Sequence, residues 1–314
     1  MMDNSQIVKM LEWPEGKVDV VLDSDTFNEI DDQYALAYML RSLDKLNVKA
    51  FYAAPFYKFI PPFDKMKPFK SSSPGDGMEK SYQEIMNVLT MMGEEEQKNK
   101  VYRGSEKYLP SETEGVVSDA AKDLAQRAMQ YSPEHPLYVI AIAAVTNVAS
   151  ALLLNPEIRD RIVVIWLGGN ALEWPNNLEF NLVQDVAAAR VLFSSGVPVV
   201  LLPCRGVVSS FTVSAPELDY WMKGKNKLCD YLVEATKEYA KARGYLPTWQ
   251  KPVWDVAAVG WLLDKSFMLD RYEISPIPTY DFHYAFDKSR HLIKYVYHIH
   301  SDALFQDLFN KLTK

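Results

Sequence analysis

Apolar and polar positions alternate along this chain in two rhythms. Short apolar, β-branched runs at Val18-Asp19-Val20-Val21-Leu22, Val48 to Ala54, Leu137 to Ala143, Ile162 to Leu167 and Val197 to Leu202 read as buried strands. Between them, apolar residues recur at helical spacing: Tyr34, Ala35, Tyr38, Met39 and Leu43 within Asp31 to Leu43, then Glu79 to Met92, Thr146 to Leu154 and Asp185 to Ser194. Strands alternating with helices predict an α/β fold, a mostly parallel open sheet with helices on both faces. The stretch 215–250 is helical and more polar and reads as an insertion on that core. Near the end, Ile293, Tyr295, Tyr297 and Ile299 alternate like a strand. Leu304, Phe305, Leu308, Phe309 and Leu312 then mark an amphipathic helix. Residues 55–78 break the rhythm with Pro55, Pro61, Pro62, Pro68 and Pro74, three consecutive serines and five aromatics. A structureless connection of that length is uncommon unless it serves a site, and its aromatics predict a lid-like loop. No repeat or interdomain linker is visible, so residues 1–314 read as a single domain.

Composition narrows the function classes. With 314 residues, 48% of them hydrophobic and 12% aromatic, the chain can bury a large core. A formal charge of -7 argues against wrapping nucleic acid or binding an anionic membrane. The basic residues are scattered, with only Lys58, Lys65, Lys67 and Lys70 forming a loose run. Cys204 and Cys229 have no CxxC partner and read as buried thiols of a reducing compartment. Met1 to Glu15 is too polar for a signal peptide, and no run approaches the roughly 18 apolar residues of a membrane helix. The expectation is a soluble cytoplasmic protein.

Three constellations carry candidate chemistry. Asp23-Ser24-Asp25-Thr26-Phe27-Asn28-Glu29-Ile30-Asp31-Asp32 packs five acidic residues into the turn between a strand and a helix. Asp31 and Asp32 could complement a helix N-terminus and Asp23 could cap a turn, but five like charges point to a hard divalent cation with oxygen ligands. Glu179-Phe180-Asn181 follows the Gly168-Gly169-Asn170 turn at another strand end. On its own it reads as an ordinary polar loop. Trp254-Asp255 precedes the apolar run Val256-Ala257-Ala258-Val259, where an Asp is most often an N-cap and a Trp core.

Taken together, these features resemble the nucleoside hydrolase family. The matching elements are the Asp23, Asp25, Asp31, Asp32 turn, the helix start at Ala144-Val145-Thr146-Asn147-Val148, Gly168-Gly169 with Glu179-Phe180-Asn181, and Trp254-Asp255. Their order holds from about Val18 to Leu263. The resemblance implies a Rossmann-like core and a calcium ion held by Asp25, Asp32, Asp255 and the carbonyl of Ile142. It implies Asp25 as the general base for a calcium-bound water, and ribose hydroxyls held by Asp31, Glu179 and Asn181. The reaction would be hydrolysis of a ribonucleoside or related N-riboside. The partner would be a small-molecule nucleoside, and the assembly a homodimer or homotetramer.

The chain departs from the family pattern in three places. The opening turn is longer, with Thr26-Phe27-Asn28-Glu29-Ile30 where members carry a short Pro-Gly turn. An Asn often found after the second strand has no match, and Phe56 falls near it. Trp254 stands where many members carry His. Asn28 thereby becomes a candidate for an added sugar contact, Asn170 a further substrate-binding candidate, and Trp254 a candidate for stacking on the base. Two competing readings use the same residues. Asp23-Ser24-Asp25-Thr26 resembles the nucleophile motif of haloacid-dehalogenase-type phosphatases, although the late Gly-Asp of that class is missing. The other is a non-catalytic nucleoside-binding protein on the same fold.

Overall fold

The structure, a computed structural model, describes residues 2–57 and 70–314. In chain order the elements are α1 (Asn4–Met10), β1 (Val18–Ser24), α2 (Asp31–Leu40), β2 (Leu46–Ala53), α3 (Pro74–Met92), β3 (Val101–Arg103), α4 (Asp119–Arg127), β4 (Leu137–Ile142), α5 (Thr146–Leu154) and β5 (Ile162–Leu167). They continue with α6 (Phe180–Gln184), α7 (Val186–Ser194), β6 (Val199–Leu202), β7 (Thr212–Val213), α8 (Ala215–Trp221), α9 (Lys227–Ala242), β8 (Lys251–Pro252) and α10 (Val256–Leu263). The last elements are β9 (Met268–Ile274), β10 (Ile277–Pro278), β11 (Tyr284–Ala285), β12 (Leu292–Ile299) and α11 (Ser301–Leu312).

An eight-stranded sheet in the order β3-β2-β1-β4-β5-β6-β12-β9 forms the centre. Neighbouring strands are parallel except β12 and β9, which pair antiparallel. The central strands β4, β5 and β6 are buried at every position, as their unbroken apolar runs require of strands covered on both faces. Two apolar layers flank the sheet. One contains α2, α10 and α11, and the other contains α4, α5 and α7. Helix α2 is buried along its whole length, because it lies beneath α10, α3 and α11 rather than at the surface.

The chain builds outward from β1 to β2 and β3, then returns to place β4 on the other side of β1. The ends of β1 and β4 therefore open beside each other, with Ser24 opposite Ile142 in register. That reversal is where ligands settle in open α/β sheets.

The predicted elements recur with small shifts, and three differences stand out. Helix α3 starts at Pro74 rather than Glu79, because Ser73 Oγ accepts from Asp76 N and proline suits the first helical turn. The serines and proline that read as loop are thus a helix start, while residues 58–69 of the expected lid-like loop lie outside the described residues. Strand β9 mixes charged and apolar residues without a clear alternation and is an edge strand, recognisable only through its pairing with β12. Between Ala215 and Ala242 the expected helical stretch is two helices, α8 and α9.

Tight packing under the site depends on Gly104. A Cβ there would stand 2.0 Å from Ala53 O and 2.5 Å from Asn147 Nδ2. Asn147 Nδ2 donates to Asp23 Oδ1 at 2.8 Å and to Ala53 O at 3.2 Å, so the clash would fall on the support of β1. Gly104→Ala is expected to lower stability by about 1–3 kcal/mol, the usual cost of overpacking. Urea unfolding checks this, and a change of only a few tenths would show that the neighbours yield freely.

Candidate active site

At the carboxyl ends of β1, β4 and β5 lies a cavity of about 240 Å³. Six of its lining residues are acidic, Asp25, Glu29, Asp31, Asp32, Glu179 and Asp255, and two are basic, Arg205 and Lys251. Asn28, Ile142, Asn181, Trp254, Tyr239 and Tyr245 complete most of the wall.

Local structure explains the placement of each acid. Asp25 begins the turn after β1, where Asn28 N donates to Asp25 O at 2.7 Å. Asp31 and Asp32 open α2, but neither caps it: the N-cap is Ile30 and no side chain bonds the helix end. Instead Ser24 Oγ donates to Asp32 Oδ1 at 2.7 Å. Asp255 occupies the N-cap position of α10 in helical conformation and makes no side-chain cap bond. The common reading of an Asp before an apolar helix therefore does not account for it, and its carboxylate faces the cavity. Asp31, Asp32 and Asp255 each present an oxygen within 4.8 Å of the other two. Asp25 lines the same cavity outside that triplet, and its Oδ2 is buried without a hydrogen-bond partner.

The electrostatics follow from burial. Loss of water raises the carboxyl of Asp25 well above the ordinary range, and the neighbouring Asp32, Glu29 and Asp31 add to it. Burial and Asp31 push Asp32 up to about 7. Burial also raises Asp255, again with Asp31, Asp32 and Asp25 contributing. These residues fit a divalent cation: oxygen donors only, several carboxylates within reach of one point, and a buried carboxylate oxygen otherwise unsatisfied.

Glu179 and Asn181 line the cavity while also holding the strand end. Glu179 caps α6, accepting from Asn181 N at 2.9 Å, Leu182 N at 3.0 Å and Gly169 N at 2.7 Å. Asn181 Nδ2 donates to Leu167 O at 3.0 Å. Gly169 has φ +68°, and a Cβ there would meet the Tyr284 hydroxyl at 2.1 Å, so the turn requires glycine. Asn28 reaches the cavity with its Oδ1 buried and unpartnered, and Trp254 lines it while packing partly on the core.

Asn170 is fully buried and is not among the residues that line the cavity; it donates from Nδ2 to Asn176 O and accepts from Arg205 N, bonds that brace the turn. Asn in a turn commonly bonds nearby backbone in this way. His283 is exposed and is not among the residues that line the cavity. The sequence reading missed Lys251, Arg205, Tyr239 and Tyr245. The tyrosines follow from the 215–250 helical segment folding over the strand ends, and no local pattern marks them.

The site's geometry has counterparts among known proteins. The family model described as inosine-uridine preferring nucleoside hydrolase matches residues 74–296. A pyrimidine-specific ribonucleoside hydrolase, RihA of Citrobacter koseri, is 29% identical over 161 residues, 49% of this chain and 51% of that protein. The chain thus spans about half the length of the curated relative it matches. Among solved structures, a purine-preferring ribonucleoside hydrolase from Gardnerella vaginalis superposes with TM-score 0.73 at 18% identity, covering 94% of this chain and 98% of its own. The plant nucleoside hydrolase PpNRh1 gives 0.72 at 17% identity, covering 96% and 99%. At those identities the likeness establishes the shared fold.

The raised carboxyls set a pH dependence for the metal-free protein. Burial holds the Asp32 carboxyl up at about 7 in the fold, against an ordinary value of 3.8 when unfolded. Between those values the fold holds more protons than the unfolded chain, so its stability falls as pH rises through that window. A divalent ion would bind the ionised carboxylates, so its stabilising effect would grow over the same range. The calcium-induced rise in Tm is expected to be small near about pH 5 and larger near about pH 8. Scanning fluorimetry with and without calcium would contradict this if the rise were flat or shrank with pH.

Proposed function

Because the chain belongs to the inosine-uridine preferring nucleoside hydrolase family, we propose that it hydrolyses the N-glycosidic bond of a ribonucleoside or related N-riboside, releasing ribose and the free base. The observation that carries this reading is the set of buried carboxylates gathered where β1 and β4 end, beside the carbonyl-bearing end of β4 at Ile142 and the aromatic face of Trp254.

In such a reaction, water forms a bond to the anomeric carbon while the bond to the base nitrogen breaks. The electron pair of that bond leaves with the base, which gains a proton, and one water proton goes to a base on the protein. Positive charge builds on the ribose as the bond opens. Carboxylates around the sugar stabilise that charge in a site shielded from bulk water. Asp25 is assigned the role of general base, its buried Oδ2 being available to take the proton. Asp31, Glu179 and Asn181 are assigned to the ribose hydroxyls, with Asn28 Oδ1 as an added acceptor. Asp25, Asp32, Asp255 and the Ile142 carbonyl would hold calcium. When bound there, calcium supplies Lewis-acid polarisation of a water and of the ribose hydroxyls.

No histidine is among the described residues that line the cavity. An indole N–H cannot serve as a general acid at neutral pH, but the ring can stack on a base and favour its protonated form. Trp254→Ala is therefore expected to slow inosine hydrolysis far more than hydrolysis of p-nitrophenyl riboside, whose leaving group needs no proton. Equal loss on both substrates would assign Trp254 to sugar positioning or to the core.

A panel of ribonucleosides with p-nitrophenyl phosphate as control tests the main reading. Release of free base, with no phosphate release, is the expected result. Release of phosphate would favour the phosphatase reading, and binding of nucleoside without turnover the non-catalytic one. Asp25→Asn should lower kcat by about 10²–10⁴-fold, the usual contribution of a general base, without lowering Tm. Near-wild-type turnover by this variant would remove Asp25 from the base role.

A further inference from the structure

The cavity holds a cation supplied by the chain itself. Lys251, on the short strand β8, is 2% exposed. Its Nζ donates to Glu29 Oε2 at 2.8 Å, to Asp31 Oδ1 at 3.0 Å and to Pro252 O at 2.8 Å. An ammonium has three N–H groups, so all are committed inside the protein. The other oxygen of Glu29 accepts from the Tyr239 hydroxyl at 2.7 Å. Burial alone would lower the lysine's pKa, but Asp31 and Glu29 outweigh it and hold the amine protonated.

This pairing decides a question that distance leaves open. Asp31, Asp32 and Asp255 each present an oxygen within 4.8 Å of the other two, so distance alone does not set Asp31 apart as a metal ligand. An ammonium and a divalent ion compete for the same carboxylate oxygens, and Asp31 Oδ1 is already taken. The lengthened turn after Asp25 adds an extra acid, Glu29, to the cluster, and that acid is bound to the same lysine. Resting on the reading that the site takes a divalent ion, we propose that Lys251 is a built-in second cation that partitions the cavity. It keeps Asp31 and Glu29 out of the metal's ligand set, limits the site to one divalent ion bound by Asp25, Asp32 and Asp255, and fixes Asp31 as a positioned acceptor for substrate. Lys251 is in this sense a positioning residue acting through Asp31.

Calcium titration of the whole protein by calorimetry tests the partition. Wild type is expected to take up one calcium per chain, and Lys251→Arg, which keeps the charge, to do the same with similar affinity. Lys251→Met removes the ammonium from Asp31 and Glu29, and should either bind a second calcium or hold the first at least about tenfold tighter. Glu29→Gln/Lys251→Met, with one charge of each sign removed, should return toward the wild-type number and affinity. Where Lys251→Met folds only in calcium, a dependence that wild type lacks, the proposal is supported. If it does not fold even then, Lys251→Gln is titrated and the same criteria apply. An unchanged number and affinity in the charge-removing variant, with wild type binding one ion, would overturn the partition alone. Absence of calcium binding by wild type would overturn the metal reading and the partition together.

Discussion

The structure depends on how it tolerates like charges in a place without water. Asp25, Asp31, Asp32 and Asp255 are each 4% exposed or less, and three of them approach within 4.8 Å. At that separation each ionised pair repels by about 3 kcal/mol, even at the effective dielectric of about 20 that suits buried sites. Several such pairs together approach the whole net stability of a typical domain. Protons can relieve the strain, as the raised carboxyl of Asp32 reflects, but only by removing the charge that the chemistry needs. Cations relieve it without that loss. Lys251 is one, and a divalent ion is the natural second.

The fold makes the arrangement possible because its rigid parts lie outside the cluster. Apolar strands β1, β4 and β5 are pinned on both faces, and their ends fix Asp25, the Ile142 carbonyl and the Leu167–Gly169 turn. Asp32 and Asp255 are carried by the starts of α2 and α10, which pack against each other. Neither helix uses its acid as a cap. Beneath this layer, Asn147 bridges Asp23, Ala53 and Ser105, so that the support of β1 is itself polar and satisfied on the Asn147 side. The cavity-lining groups are thus set by helix starts and strand ends, while the 215–250 segment contributes Tyr239 and Tyr245 and the short strand β8 contributes Lys251.

The legible features were those with local signals. The central strands show as β-branched runs of the right length, and the first acidic turn stands out because five acids in ten positions exceed what helix-end electrostatics explains. Asp255 was harder: by itself it looks like an N-cap, and only its order after the other motifs singles it out. The illegible features were tertiary. Lys251 sits before a proline in a polar stretch and reads as surface, yet its partners Glu29 and Asp31 are over two hundred residues earlier. Asn170 is a strand-end Asn that suggests ligand contact, and its bonds to the Asn176 and Arg205 backbone show only in the fold. Strand β9 carries no clear alternation, and only its pairing with β12 defines it.

A crystal structure of the protein grown in calcium, with the ion identified by its anomalous signal, tests the central claim most directly. The account predicts a single ion about 2.3–2.6 Å from oxygens of Asp25, Asp32, Asp255 and the Ile142 carbonyl, with Lys251 still bound to Asp31 and Glu29. A cavity empty at saturating calcium, or an ion seated on Asp31 with the lysine displaced, would contradict it.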